Sequence, residues 1–267
     1  MARLKKLFLL MLFFLITSLV YAQPRYSNWE LGLAAGGAGY MGDLNQNNPL
    51  LLSGISAGLY VKRNFSEYLG VRLNYTFGQI AGKDANSNNA QFRNRNLAFK
   101  TGMNELSAIG DFNFFGFGLN GNERRLTPYI FAGVGLLLFD PTVKYDGTRY
   151  KLAELRTEGQ DKPYSRKTLT IPYGLGLRYQ RNGGFSVFSE IGYRTPTTDY
   201  LDDVSGLYSA SPALVKNGEE FINFSDPSLN KAGIPGTQRG DFRKRDTYLF
   251  VSVGISITFV SAKCYSF

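Results

Sequence analysis

The sequence predicts an all-β fold: a transmembrane, antiparallel up-and-down β-barrel of eight strands, with long extracellular loops and short periplasmic turns. Three observations predict it. The chain opens on an export leader, most of the segments after it alternate apolar and polar residues with period two, and the connections between them alternate long and short.

The leader comes first. Arg3, Lys5 and Lys6 form a positive head, Leu7 to Val20 is almost wholly apolar, and Val20-Tyr21-Ala22 supplies small residues where a signal peptidase reads. This is the pattern of a cleaved signal peptide over residues 1–22, too short and too one-sided for a spanning helix. No cysteine lies near the cut, which argues against lipidation there. Residues 23–267 then form a single outer-membrane barrel domain ending in a short periplasmic tail.

In a membrane barrel, lipid-facing side chains alternate with lumen-facing ones. The first strand, around Trp29 to Gly37, shows this weakly. The second sets Ile55, Ala57, Leu59 and Val61 outward against Ser56, Gly58, Tyr60 and Lys62. The third is the clearest, with Leu69, Val71, Leu73, Tyr75 and Phe77 against Gly70, Arg72, Asn74 and Thr76. The fourth opposes Leu106, Ala108, Phe112 and Phe114 to Ser107, Asp111 and Asn113. The fifth, Pro128 to Phe139, is apolar on both faces and leaves its orientation open. The sixth turns Leu169, Ile171, Tyr173, Leu175, Leu177 and Tyr179 outward, with Thr168, Thr170 and Arg178 inward. The seventh opposes Phe185, Val187, Ile191 and Tyr193 to Ser186, Glu190 and Arg194. The eighth sets Leu249, Val251, Val253, Ile255, Ile257 and Phe259 against Ser252, Gly254, Ser256 and Thr258.

The connections support the same topology. Asn64 to Glu67 and Gln180 to Gly184 are tight, and Gly116 to Leu126 is moderate. Tyr40 to Leu52, Ala81 to Gly102, Asp140 to Arg166 and Thr195 to Asp246 are long. Even connections are short and odd ones long, as expected when both termini lie in the periplasm.

Composition narrows the chemistry. The chain has 30 Gly, 17 Tyr and 21 Phe, a bias toward strands, tight turns and aromatic belts. Its formal charge is +9, of which the leader supplies three, and no basic stripe with stacking residues points to nucleic acid. There is no histidine, which removes the usual base for a serine nucleophile and the commonest zinc ligand. No enzyme activity, cofactor or metal site is expected. Leu33 to Gly37 has the glycines of a phosphate loop but no Gly-Lys-Ser/Thr after them. Asp199-Tyr200-Leu201-Asp202-Asp203 holds three carboxylates but lacks the glycine and distal glutamate of an EF-hand. That segment reads as a solvated or partner-docking loop.

An eight-stranded barrel is only wide enough for side chains to fill. The inward charges Lys62, Arg72, Asp111, Arg178, Glu190 and Arg194 therefore read as a plug of paired charges, with Glu190 expected against Arg178 or Arg194. The one cysteine, Cys264, follows the last strand and has no partner within the chain, so it is a candidate for an intermolecular disulfide. Lys263 beside it favours the thiolate.

ELGLAAGGAGYMGDLN, NELSAIGDFNFF, TPYIFAGVGLLLFDP, LRTEGQ, TDYLDDVSG, QRGD and the final KC together resemble the PorG family, from about Trp29 to Cys264. That family comprises outer-membrane barrel components of the type IX secretion system of Bacteroidota, which serves protease secretion and gliding motility. The resemblance implies a non-catalytic part of protein secretion that contacts the periplasmic ring of the lipoprotein PorK and its partner PorN, other secretion components, and outer-membrane lipids. It makes Cys264 a candidate disulfide partner for a PorK-type protein. Its loop words make Thr157, Glu158, Gly159 and Gln160, then Asp199, Tyr200, Asp202 and Asp203, then Gln238, Arg239 and Gly240, candidates for partner contact. The alternative reading is a generic small barrel serving envelope integrity, adhesion or minor permeability.

Overall fold

Period-two alternation buries one face of each strand and leaves the other apolar face outward, and eight such strands close on themselves. The computed structural model describes residues 28–117 and 125–259, apart from 47, 49, 182, 183, 229, 242 and 244. The leader, Cys264 and parts of two short turns lie outside those residues.

The barrel strands are β1 (Asn28–Met41), β2 (Leu52–Asn64), β3 (Leu69–Lys83), β4 (Ala98–Asn113) and β5 (Leu126–Tyr145), then β7 (Lys167–Gln180), β8 (Phe185–Pro196) and β11 (Thr247–Phe259). Each pairs antiparallel with its neighbour, and β1 with β11 (Trp29↔Phe259 to Met41↔Thr247) completes the ring. Closure leaves no sheet edge facing lipid, so the backbone of the wall is hydrogen-bonded throughout. The exterior is apolar: Val134, Leu169 and Leu73 are 66%, 63% and 56% exposed. Trp29, Phe65, Tyr68, Phe112, Phe114 and Phe259 ring the short-turn end, the position of an interfacial aromatic belt. No described helix is long and apolar enough to cross a membrane.

Several strands outrun the sequence reading at the long-loop end. β3 continues to Lys83, and β5 continues to Tyr145, where it turns back as β6 (Thr148–Lys151). Asp146 and Gly147 both have positive φ, the two-residue turn that matches strand twist. The last long connection carries a second hairpin, β9 (Leu214–Asn217) with β10 (Glu220–Asn223). A six-residue helix, α1 (Ala90–Arg95), lies between β3 and β4. It is capped by Asn89, which accepts from the Gln91 N–H at 2.9 Å, and it ends on Asn96 in the left-handed region.

The structure settles strand five. Tyr129, Phe131, Leu137 and Phe139 point inward and Ile130, Val134, Leu136 and Leu138 outward. Inward aromatics need space, and glycine on the facing strand provides it. A Cβ on Gly176 of β7 would lie 2.5 Å from the Tyr129 ring, and one on Gly174 2.7 Å from Phe131. Leu249 departs from the expected pattern: its parity is outward, but it is buried at the long-loop end.

Candidate functional site

Two sites fill the barrel's axis, a charged lumen below and a loop cap above. In the lower lumen Lys62 Nζ lies 2.8 Å from Asp111, and Arg72 bridges Asp111 at 3.3 Å and Glu190 at 2.5 Å. Arg178 faces Glu30 and Asp111, each at 3.8 Å, and Arg194 faces Glu105 at 3.5 Å. Tyr60 donates to Glu30, Tyr129 to Glu190 and Tyr248 to Glu105, so each of these carboxylates also accepts a phenol. Four cations thus meet four carboxylates, all buried.

All six lumen charges read from the sequence take part, with one correction. Glu190 pairs with Arg72, not with Arg178 or Arg194. Glu30 and Glu105 were missed as partners. Glu105 has the same parity as the inward Ser107, and Glu30 precedes the outward Leu31, so the signal was present in the alternation.

Above the ions the lumen turns apolar: Ile80, Phe99, Met103, Leu137, Phe139 and Phe250 pack into one cluster beneath Leu152 and Leu201. A cavity of about 30 Å³ beside Arg72, Glu190 and Arg194 is large enough for a water or two, but not for a conduction path. Reconstituted in planar bilayers, the barrel should show no stable conductance steps. Steady nanosiemens openings would mean the plug moves.

The cap is made by four long connections meeting. Arg239 donates to Glu158 at 3.0 Å and to the Asp203 carbonyl at 2.7 Å, joining the fifth connection to the seventh. Glu158 also accepts the N–H groups of Ser205 and Gly206, and Asp203 accepts from Thr157 at 2.6 Å and Tyr164 at 2.7 Å. Arg95, from α1, holds Asp84 through two donors and reaches the carbonyls of Asp43 and Arg239, adding the first and third connections. The three loop words of the sequence therefore converge on one knot.

Thr157, Asp202, Asp203, Arg239 and Gly240 are buried within that knot. The Glu158 side chain is buried too, 6% exposed, and committed to Arg239. Gly159, Gln160, Asp199, Tyr200 and Gln238 keep exposed or half-exposed surface. Direct contact with another molecule would fall on these five, because the buried group spends its hydrogen bonds on its own loops.

At the base of the knot the carboxylates of Asp43, Asp202 and Asp246 all lie within 4.8 Å of one another and are buried, a donor set of the kind a hard cation accepts. The sequence could not assemble this trio, since Asp43 lies in the first connection and Asp202 and Asp246 stand far apart within the seventh; only Asp202 belongs to the acidic run read earlier. Tyr40 donates to Asp202, and the Leu201 N–H donates to Asp246 at 2.9 Å. Burial, then the like charges of Asp241 and Asp199, push Asp43 up to about 7. Burial raises Asp203 to about 6 against the pull of Arg239, and it raises Asp202 and Asp246 well above the usual carboxylate range.

A raised carboxyl binds its proton more tightly in the folded cap than in an open one. The cap's tightening is thus complete below about pH 4 and is lost as pH rises through 6 to 7. Hydrogen exchange at Leu201 and Val204, corrected for intrinsic rate, should be faster at pH 8.5 than at 5.5, and Asp43→Asn should flatten the difference. Equal protection at both values would count against this assignment.

A closed barrel with an apolar wall, a lumen filled by paired charges and an interlocked cap defines a small β-barrel protein of the outer-membrane type. The chain belongs to the family described as Domain of unknown function (DUF6089), whose model matches residues 5–213. No curated protein matches it. Among solved structures it is similar to Neisserial surface protein A (NspA), at 11% identity over 86% of this chain and 97% of that one, with a TM-score of 0.46. It is also similar to OprG of Pseudomonas aeruginosa, at 11% identity over 89% and 99% and a TM-score of 0.38, and to the outer membrane enzyme PagL, at 13% over 85% and 98% and 0.32.

Proposed function

We propose that this protein is a non-enzymatic outer-membrane anchor of a protein-secretion machine of the PorG kind. Its short turns and tail would engage a periplasmic ring of the PorK and PorN type. The observation that carries the reading is the filled interior: four buried cations against four buried carboxylates below an apolar plug leave a barrel suited to holding rather than conducting. With no histidine in the chain and the cap carboxylates engaged with phenols, hydroxyls and backbone N–H groups, no nucleophile is poised beside a base among the described residues.

Phe259 pairs with Trp29, so the last strand ends beside the start of β1, at the short-turn end. On the reading that this end faces the periplasm, Cys264, five residues after Phe259 in the sequence, would meet an oxidising compartment and a ring lipoprotein there. The reading is tested by non-reducing electrophoresis of whole cells after rapid thiol trapping. A high-mass band that collapses with reductant, contains the ring protein and vanishes in Cys264→Ser is expected. Deleting the gene should abolish secretion of the machine's cargo. Normal secretion with a leaky envelope would favour the generic-barrel alternative instead.

A further inference from the structure

A groove of about 820 Å³ opens between the first and third connections, beside the outer ends of β2 and β3. That volume falls in the range of small-molecule sites, about 300–1,000 Å³. Its lining is chemically unusual: Asn45, Gln46, Asn48, Asn86, Asn88 and Asn89 all contribute side-chain amides. Lys83 and Asp43 are the only ionisable groups in the lining, and Asp43 already accepts from the Asp241 N–H.

Among the described residues, loop architecture accounts for half of these amides. Asn45 braces its turn by donating to the Tyr40 and Asn48 carbonyls, Asn89 caps α1, and Gln46 reaches Asp241 at 3.5 Å. The amides of Asn48, Asn86 and Asn88 are exposed and make no hydrogen bond among the described residues. None of the three occupies the left-handed backbone region that often selects asparagine. Phe92 adds a half-exposed ring, and Leu51 and Leu52 add apolar surface, 50% and 47% exposed, where β2 begins.

An amide presents a donor and an acceptor side by side. That pattern complements neighbouring hydroxyls, each of which both donates and accepts, while the C–H face of a pyranose suits the Phe92 ring. An anionic ligand would call for arginines or several lysines, and the lining supplies one lysine. We propose that this groove binds a neutral, hydroxyl-rich saccharide, presented either as a free oligosaccharide or as the headgroup of a glycolipid in the surrounding leaflet. The assignment is independent of the secretion role.

The test uses the full mature chain in lipid nanodiscs, applied to an array of neutral hexose and N-acetylhexosamine oligosaccharides beside sulfated and sialylated ones. Wild type is expected to retain neutral glycans. The triple variant Asn48→Ala, Asn86→Ala, Asn88→Ala should bind about tenfold more weakly or worse, with heat-modifiable gel mobility unchanged. A parallel arm reconstitutes the barrel with full-length or polysaccharide-truncated lipopolysaccharide. Retention of only the full-length form points to a headgroup, and binding on the array to a free glycan. No neutral glycan held in either arm, binding confined to acidic glycans, or equal binding by the triple variant would each overturn the proposal.

Discussion

Replacing Asp111 with alanine is expected to destabilise the folded barrel by about 3–5 kcal/mol, the cost of leaving buried charge without its partner. Asp111 sits between three cations: Lys62 at 2.8 Å, Arg72 at 3.3 Å and Arg178 at 3.8 Å. Its loss leaves Lys62 with no other ion pair among the described residues, while Arg72 keeps Glu190 and Arg178 keeps Glu30. Urea unfolding from lipid vesicles, followed by the emission of Trp29, the one tryptophan, reads the effect directly. A double replacement, Lys62→Met with Asp111→Leu, should recover much of the loss, because apolar packing often matches a buried ion pair in stability. If Asp111→Ala unfolds at the wild-type urea concentration, the lumen charges are hydrated rather than interlocked.

Leu73→Arg should cost about 2–4 kcal/mol, because a cation near the bilayer midplane on the lipid face has nothing to solvate it. Leu73 lies opposite Val61 on β2 and Ala108 on β4, in the middle of the wall, and is 56% exposed. One residue earlier the chain carries Arg72, buried in the lumen between two carboxylates. The same side chain is tolerated on one face of the strand and excluded from the other. The fraction of heat-modifiable protein after refolding into vesicles should fall sharply for Leu73→Arg and little for Leu73→Ala. Equal assembly of both variants would mean that this face does not meet lipid.

The period-two pattern was legible wherever one face was polar, as in β3, where every outward and inward assignment holds. It failed for β5, whose inward residues from Tyr129 to Phe139 include Phe131, Leu137 and Phe139 and are as apolar as its outward ones. An apolar lumen layer and an apolar lipid face look alike in a string of letters, and only the facing glycines and the plug beneath the cap separate them. Leu249 misled for a related reason, since at the long-loop end its outward parity does not mean exposure. Loop content was the least legible, because hairpins and short helices there are stabilised by contacts with other loops rather than by their own periodicity.

What the sequence determined by itself was most of the wall: outside β5 and Leu249, which residues face out and which enter the lumen, and how many times the chain crosses. Those follow from a strand's two-fold side-chain repeat and need only local information. The tertiary structure alone decided who pairs with whom. Closing the sheet brings Arg72 to Glu190 and Lys62 to Asp111, and stacking the loops brings Asp43 to Asp202 and Asp246. Such contacts join positions far apart in the chain and depend on barrel width, strand stagger and loop docking, which no local pattern encodes.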